Sequence, residues 1–273
     1  MNAWICTTCG TQFSPSDSAP ERCPICEDER QYIGRGGQKW TTLELMKADG
    51  YKNSYYEHEP NLIGIETVPE FAIGQNAKLI RTSEGNVLWD CISYIDDVTV
   101  DLIRGLGGIK FISISHPHFY SSMVEWAERF DARIYLHARD KQWVMRPSDR
   151  IEFWDRPQFS LTSEVTLVHV GGHFAGSTVL HWKTGADGRG VLLTGDTVSV
   201  SADPRWVSFM YSFPNRIPLS ERAIDRIISR LEPLSFDRLY GTQFDSVVES
   251  DAKGAVMRSA DRYIRALNRQ DDR

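Results

Sequence analysis

Two sets of residues in this sequence have the types and spacing that metal chemistry needs. The first is Cys6-x2-Cys9-x13-Cys23-x2-Cys26. Two CxxC pairs at this separation predict a tetrahedral sulfur site. Gly10 follows the first pair, where a tight turn lets backbone amides point at sulfur, and Pro24 stiffens the second. Four sulfurs suit zinc or iron; zinc is the expected ion, with a structural or docking role. The second set is dispersed. In Ser115-His116-Pro117-His118, residues i and i+2 of an extended segment project to the same side, so both imidazoles can meet one ion. Gly171-Gly172-His173 and Gly195-Asp196-Thr197 each follow a predicted strand, with glycine allowing a sharp turn. Three imidazoles and a carboxylate suit zinc and also iron.

The elements that must hold these residues alternate between strand and helix. Residues 77–81 and 86–90 read as two strands joined by Ser83-Glu-Gly-Asn, ending at Asp90. A helix over 98–106 and a strand over 110–115 lead to the histidine pair, and Met123, Ala127 and Phe130 recur at helical spacing. Strands are expected at 133–137, 166–170, 178–182, 191–194 and 236–240. An amphipathic helix carries Leu219, Ile224, Ile227 and Leu231 and is stopped by Pro233. A C-terminal helix carries Val256, Ala260, Ile264 and Leu267. Such a mixture predicts layered α/β packing. Residues 1–38 differ in kind: four Cys, three Pro and almost no aliphatic core, so a metal must close them. The expected organisation is a four-cysteine metal module at 1–38, a connector rich in Lys, Tyr and Glu at 39–61, and one large domain at 62–273.

Bulk properties narrow the partners. With 41% hydrophobic and 25% charged residues, the chain has the composition of a soluble globular protein. A net charge of -6 argues against a nucleic-acid polyanion as main partner. No run approaches the roughly 18 to 20 apolar residues of a membrane span, and the start lacks the pattern of a secretory leader. An odd count of five cysteines, four of them in CxxC pairs, fits thiolates in a reducing compartment, and the cytoplasm is the expected location.

Taken in order, these motifs resemble the metallo-β-lactamase superfamily over roughly residues 60 to 268. Asp90, at the end of Asn86-Val-Leu-Trp-Asp90, matches its first motif, an acid behind the metal ligands. His116 and His118 match the opening of its HxHxDH signature. Gly171-Gly-His173-Phe-Ala-Gly-Ser177 matches its third motif, and Leu193-Thr-Gly195-Asp196-Thr197 its fourth, whose Asp normally bridges two metals. Where the signature has Asp then His, this chain has Tyr120 and Ser121; where the last motif has Gly-His, it reads Gly241-Thr242-Gln243. The resemblance therefore implies a four-layer αβ/βα sandwich with one metal site kept and the second lost, unless Asp245 supplies a weak replacement. The N-terminal segment is similar to rubredoxin-like domains, which hold iron, and to zinc ribbons.

The resemblance implies a metal-dependent hydrolase of a small-molecule substrate. His116, His118, His173 and Asp196 would bind the ion. Asp196 would complete the shell or orient the water, Asp90 would orient a ligand histidine, and Tyr120, where a metal-binding acid is normally found, would hydrogen-bond a metal-bound water or a developing oxyanion. Thioesters, lactones, β-lactams and phosphodiesters are all substrates in that superfamily. Two other readings remain open. One is a mononuclear iron oxidoreductase resembling the persulfide dioxygenases, using His116, His173 and Asp196, with the four-cysteine site as electron relay. The other is a non-catalytic metal-binding scaffold, with a protein partner or self-association through the N-terminal module. Four further features complete the expectation. His137 would line a rim, while His169 and His181 would pack inside strands. The aromatic stretch Asp203–Asn215 would wall the substrate pocket or brace the cysteine module, and Cys91 would be a small buried residue.

Overall fold

Apolar residues set most strands and helices around a large core in each unit, with smaller clusters near the N-terminus. A computed structural model describes residues 1–243 and 245–269. The last four positions of the expected 62–273 domain lie outside the described residues. The chain divides into two compact units, Met1–Asp155 and one from Arg156 onward.

In the first unit the cysteine segment contributes β1 (Ile5–Cys6), α1 (Pro24–Glu27) and β2 (Trp40–Thr41), with β1 and β2 antiparallel. There follow α2 (Leu43–Ala48), β3 (Lys52–Glu59), β4 (Leu62–Val68), β5 (Asn76–Ile80), β6 (Val87–Trp89), α3 (Asp97–Gly105), β7 (Phe111–Ser113), α4 (Met123–Phe130), β8 (Arg133–His137) and β9 (Ile151–Trp154). The seven-stranded sheet runs in the order β3 to β9. It is antiparallel from β3 to β6 and parallel from β6 to β9. Parallel strands need crossovers: α3 links β6 to β7, α4 links β7 to β8, and a 3-10 turn at Ala138–Trp143 lies between β8 and β9. Val100 and Ile103 of α3 and Met123, Trp126 and Ala127 of α4 share one core with Leu79, Leu88, Ile112 and Ile134. Residues 39–61 are more than a connector, because α2 and the edge strand β3 lie in them.

The second unit contains β10 (Gln158–Ser160), β11 (Val165–His169), β12 (Thr178–Trp182), β13 (Val191–Leu193), β14 (Ser199–Val200), β15 (Val207–Ser208), β16 (Met210–Ser212), β17 (Ile217–Pro218), α5 (Glu221–Leu231), β18 (Arg238–Tyr240), β19 (Val247–Val248) and α6 (Ala252–Leu267). A six-stranded sheet has the order β10-β11-β12-β13-β18-β19. Only β13 and β18 are parallel, and α5 lies between them in sequence. Ile224, Ile227 and Leu231, one stripe of α5, share a core with Ala255, Val256 and Ala260 of α6. Among the described residues, no helix is long and apolar enough to cross a membrane.

Candidate metal centres

Cys6 and Cys9 flank a turn in which Gly10 N donates to Cys6 O at 2.9 Å. Cys23 precedes α1, and Cys26 lies within it. All four thiols are buried, and their sulfurs lie within 4.8 Å of one another. Cys6 Sγ is 3.5 Å from Cys26 Sγ, and Cys9 Sγ is 3.6 Å from Cys23 Sγ. Such a group fits one ion at roughly 2.3 Å from each sulfur. Gln38 Nε2 donates to Cys6 Sγ at 2.9 Å. Hydrogen bonding from Cys23, then from Cys26 and Cys9, holds the Cys6 thiol well below its ordinary value. The apolar surroundings are thin: Ile25 is buried here, with Phe13, Trp40, Trp143 and Met145 partly buried against the cluster.

The second centre begins where strands end. Asp90 follows β6, and His116 lies three residues beyond β7. Asp90 takes a left-handed turn at φ +60. There its Oδ1 accepts from Ser115 N at 2.7 Å. Ser115 Oγ is 2.8 Å from His116 Nδ1. Asp90 thus reaches the histidine through Ser115. Burial pushes the Asp90 carboxyl up to about 6, against the pull of the Ser115 N–H. His118 sits in a short 3-10 turn, Pro117–Phe119.

In the second unit, Val170 N and Gly171 N both donate to Ser177 O, and Ser177 Oγ accepts from Phe174 N at 2.8 Å. The Gly-Gly-His-Phe-Ala-Gly-Ser motif is therefore a loop closed on its own serine. Gly172 has φ +93, and a Cβ there would come within 3.0 Å of Leu219 and 3.2 Å of Ile227 and Thr197, so only glycine fits. Thr197 Oγ1 donates to Gly171 O at 3.2 Å, tying the His173 loop to the Asp196 loop. His173 Nδ1 is 3.3 Å from Met210 O. A carbonyl only accepts, so Nδ1 carries the proton and Nε2 keeps its lone pair. That Nε2 is 3.8 Å from Asp196 Oδ2, too long for a direct hydrogen bond and suited to two ligands of one ion.

His116, His118, His173 and Asp196 each offer one donor atom, and these atoms all lie within 4.8 Å of one another. The three histidines are buried, and Asp196 is intermediate. Among the described residues, this group and the four cysteines are the two gatherings of such donors. Gln243 and Asp245 are exposed, and Asp245 belongs to neither group.

The chain aligns with YmaE of Bacillus subtilis (strain 168), described as an uncharacterized protein, at 51% identity over 269 residues and 98% of each chain. It belongs to the YmaE family. No protein-family model matches it. Its fold is that of the metallo-β-lactamases. DIM-1 metallo-β-lactamase aligns at a TM-score of 0.59 and 11% identity, covering 80% of this chain and 98% of that one. A Cronobacter sakazakii metallo-β-lactamase with a HARLDQ motif aligns at 0.52 and 16%, covering 82% and 96%. VMB-1 aligns at 0.57 and 12%, covering 79% and 98%.

The other residues singled out by sequence have plain positions. Tyr120 is buried in the apolar core of the first unit, and burial raises its phenol well above the ordinary value. Ser121 Oγ donates to Cys91 O at 3.0 Å. His137 begins a turn, with Nδ1 3.4 Å from Arg139 N and its ring edge-on to Trp154. His169 and His181 contact the carbonyls of Ala175 and Ser235. Cys91 is fully buried. The aromatic stretch supplies Phe213 and the Met210 carbonyl against His173. Sequence reasoning gave no role to Ser115 or Thr197, although both stand in the quoted motifs, and missed Gln75, which lies in none.

Proposed function

We propose that this protein is a metal-dependent hydrolase of a small molecule, with one divalent ion, zinc, held by His116, His118, His173 and Asp196. The observation that carries the reading is the convergence of those four donors within 4.8 Å. Three nitrogens and one carboxylate oxygen fit a four-coordinate ion of this kind. Such an ion, when bound, supplies an acidified water and a Lewis acid for a carbonyl or phosphoryl oxygen. The chain's own part is to aim the ligands. Ser115 Oγ engages Nδ1 of His116, and the Met210 carbonyl engages Nδ1 of His173. Asp90 holds Ser115 in turn through its backbone N–H. Tyr120, neutral and buried, replaces an acid at its position, which leaves Asp196 as the carboxylate among the donors that can orient the water.

The four cysteines hold a second ion in a supporting role, with residues 1–38 as the module that it closes. Five buried cysteines, none in a disulfide, support placement in a reducing compartment such as the cytoplasm.

The test is elemental analysis of protein purified without added metal, alongside a hydrolysis panel of a β-lactam, a thioester, a lactone and a phosphodiester. Two zinc per wild-type chain are expected. The His116→Ala/His173→Ala variant should lose one zinc and all turnover. An unchanged metal content in that variant would sink the site. Iron lost with the histidines would replace hydrolysis with oxygen chemistry.

A further inference from the structure

Gln75 lies just before β5 and is 5% exposed. Its Nε2 donates to two carbonyl oxygens, that of Cys9 at 2.6 Å and that of His118 at 2.9 Å. A primary amide nitrogen has two hydrogens, and both are committed. One buried side chain therefore joins the backbone of a thiolate donor to that of an imidazole donor. The neighbouring contacts run the same way. Gln12 N donates to Ser121 O at 2.9 Å, and Ser93 Oγ donates to Gly10 O at 2.8 Å. Gly10, at φ +77, is what allows this approach. A Cβ there would come within 2.6 Å of Ser93 Oγ and 3.0 Å of Gln75 Nε2.

The 3-10 turn carrying His118 is not part of either large sheet. Phe119 and Tyr120 anchor it in the core of the first unit, and such individual bonds add to its placement. Regular structure behind the Cys9 knuckle is short, the two-residue β1–β2 pairing and the isolated Ile5–Gln12 bridge with a few backbone bonds, so an ion on the thiolate cluster would add to its rigidity. An ion on the sulfurs would steady the knuckle, and Gln75 is the side chain that bonds the knuckle to the His118 turn.

We propose that Gln75 is a positioning residue that holds His118 in ligating geometry against the cysteine knuckle, so that occupancy of the four-cysteine site tightens metal binding at the histidine site. This rests on the reading of His118 as a metal ligand. The coupling is reciprocal, as any linkage between two binding equilibria must be.

The test uses the full chain and cobalt(II), whose visible absorption separates a sulfur site from a nitrogen and oxygen site. Gln75→Met keeps length and shape and removes both donors. The thiolate cobalt band should match wild type. The histidine-bound cobalt should change its spectrum, and its dissociation constant, from chelator competition, should rise about 10-fold. Wild-type spectrum and affinity in Gln75→Met would overturn the inference. The underlying reading is separable: if His116→Ala still binds the second ion, the site reading fails and takes the inference with it. If His116→Ala loses that ion while Gln75→Met binds normally, the inference alone fails. Should Gln75→Met not fold, hydrogen exchange on wild type decides. Amides of 116–122 should be better protected with one equivalent of cobalt on the thiolates than in metal-free protein, and equal protection would overturn the coupling.

Discussion

All four cysteine donors come from the stretch between Cys6 and Cys26, whereas the other four donors are gathered from His116 to Asp196. The cysteine cluster has little apolar surface of its own, Ile25 being its one fully buried aliphatic neighbour. The histidine and aspartate loops instead hang from strands β7, β11 and β13, whose buried residues belong to extensive cores. The difference separates two uses of a metal. On the proposed reading, an ion in the first region would substitute for a core, so its binding energy would be folding energy. In the second the scaffold exists without the ion, and the donors are held ready by hydrogen bonds.

Breaking each centre should therefore give opposite outcomes. The largest effect on stability is expected from Cys9→Ser/Cys23→Ser. That variant should lose one metal and about 4 kcal/mol or more of stability, seen by calorimetry as a fall in Tm on the order of 10 °C. A fall of under about 2 °C would mean that the module is held by packing rather than by its ion. His116→Ala should abolish turnover and metal at its own site while moving Tm far less, since it removes a donor and no core. Equal losses of Tm in the two variants would erase the distinction. Asp90→Ala comes next. It leaves the ligands in place but frees Ser115, and metal affinity at the histidine site should drop about 10- to 100-fold. Isothermal titration checks this, and an unchanged affinity would show that Ser115 needs no help to aim His116.

Much of this contrast is legible in the sequence. The CxxC pairs announce their site because spacing alone brings sulfurs together. The histidine site is legible only through its order of motifs, since no local spacing reveals that residues 116 and 196 offer donors to one group. Strands β8 and β12 fall at the expected bounds because each is a short run rich in β-favouring Ile, Tyr, Val, Thr and Trp. Strand β3 escapes notice: Lys52-Asn-Ser-Tyr-Tyr-Glu-His-Glu59 is an edge, mostly not buried, and takes its form from its pairing with β4. Ser115 is invisible for another reason. Its part as a link from Asp90 to His116 depends on the parallel register of β6 and β7, which pairs Trp89 with Ser113. Gln75 carries no pattern at all, because two acceptors from distant turns define it.

The smallest expected effect sharpens the second half of the comparison. Thr197 is buried beside Asp196, and its hydroxyl donates to Gly171 O across the two ligand loops of the second unit. If the scaffold holds the donors ready, that bond should matter for alignment more than for folding. Thr197→Val keeps the shape and removes the donor, leaving the Gly171 carbonyl one partner short. The cost to stability should be about 1 kcal/mol, a shift of about 2 to 4 °C in Tm. Metal affinity should fall with it by a few-fold, because Gly171 leads directly into His173. A Tm shift with no change in affinity would show that the loops are aligned by the ion itself. In that case the histidine centre would resemble the cysteine centre more than its burial suggests.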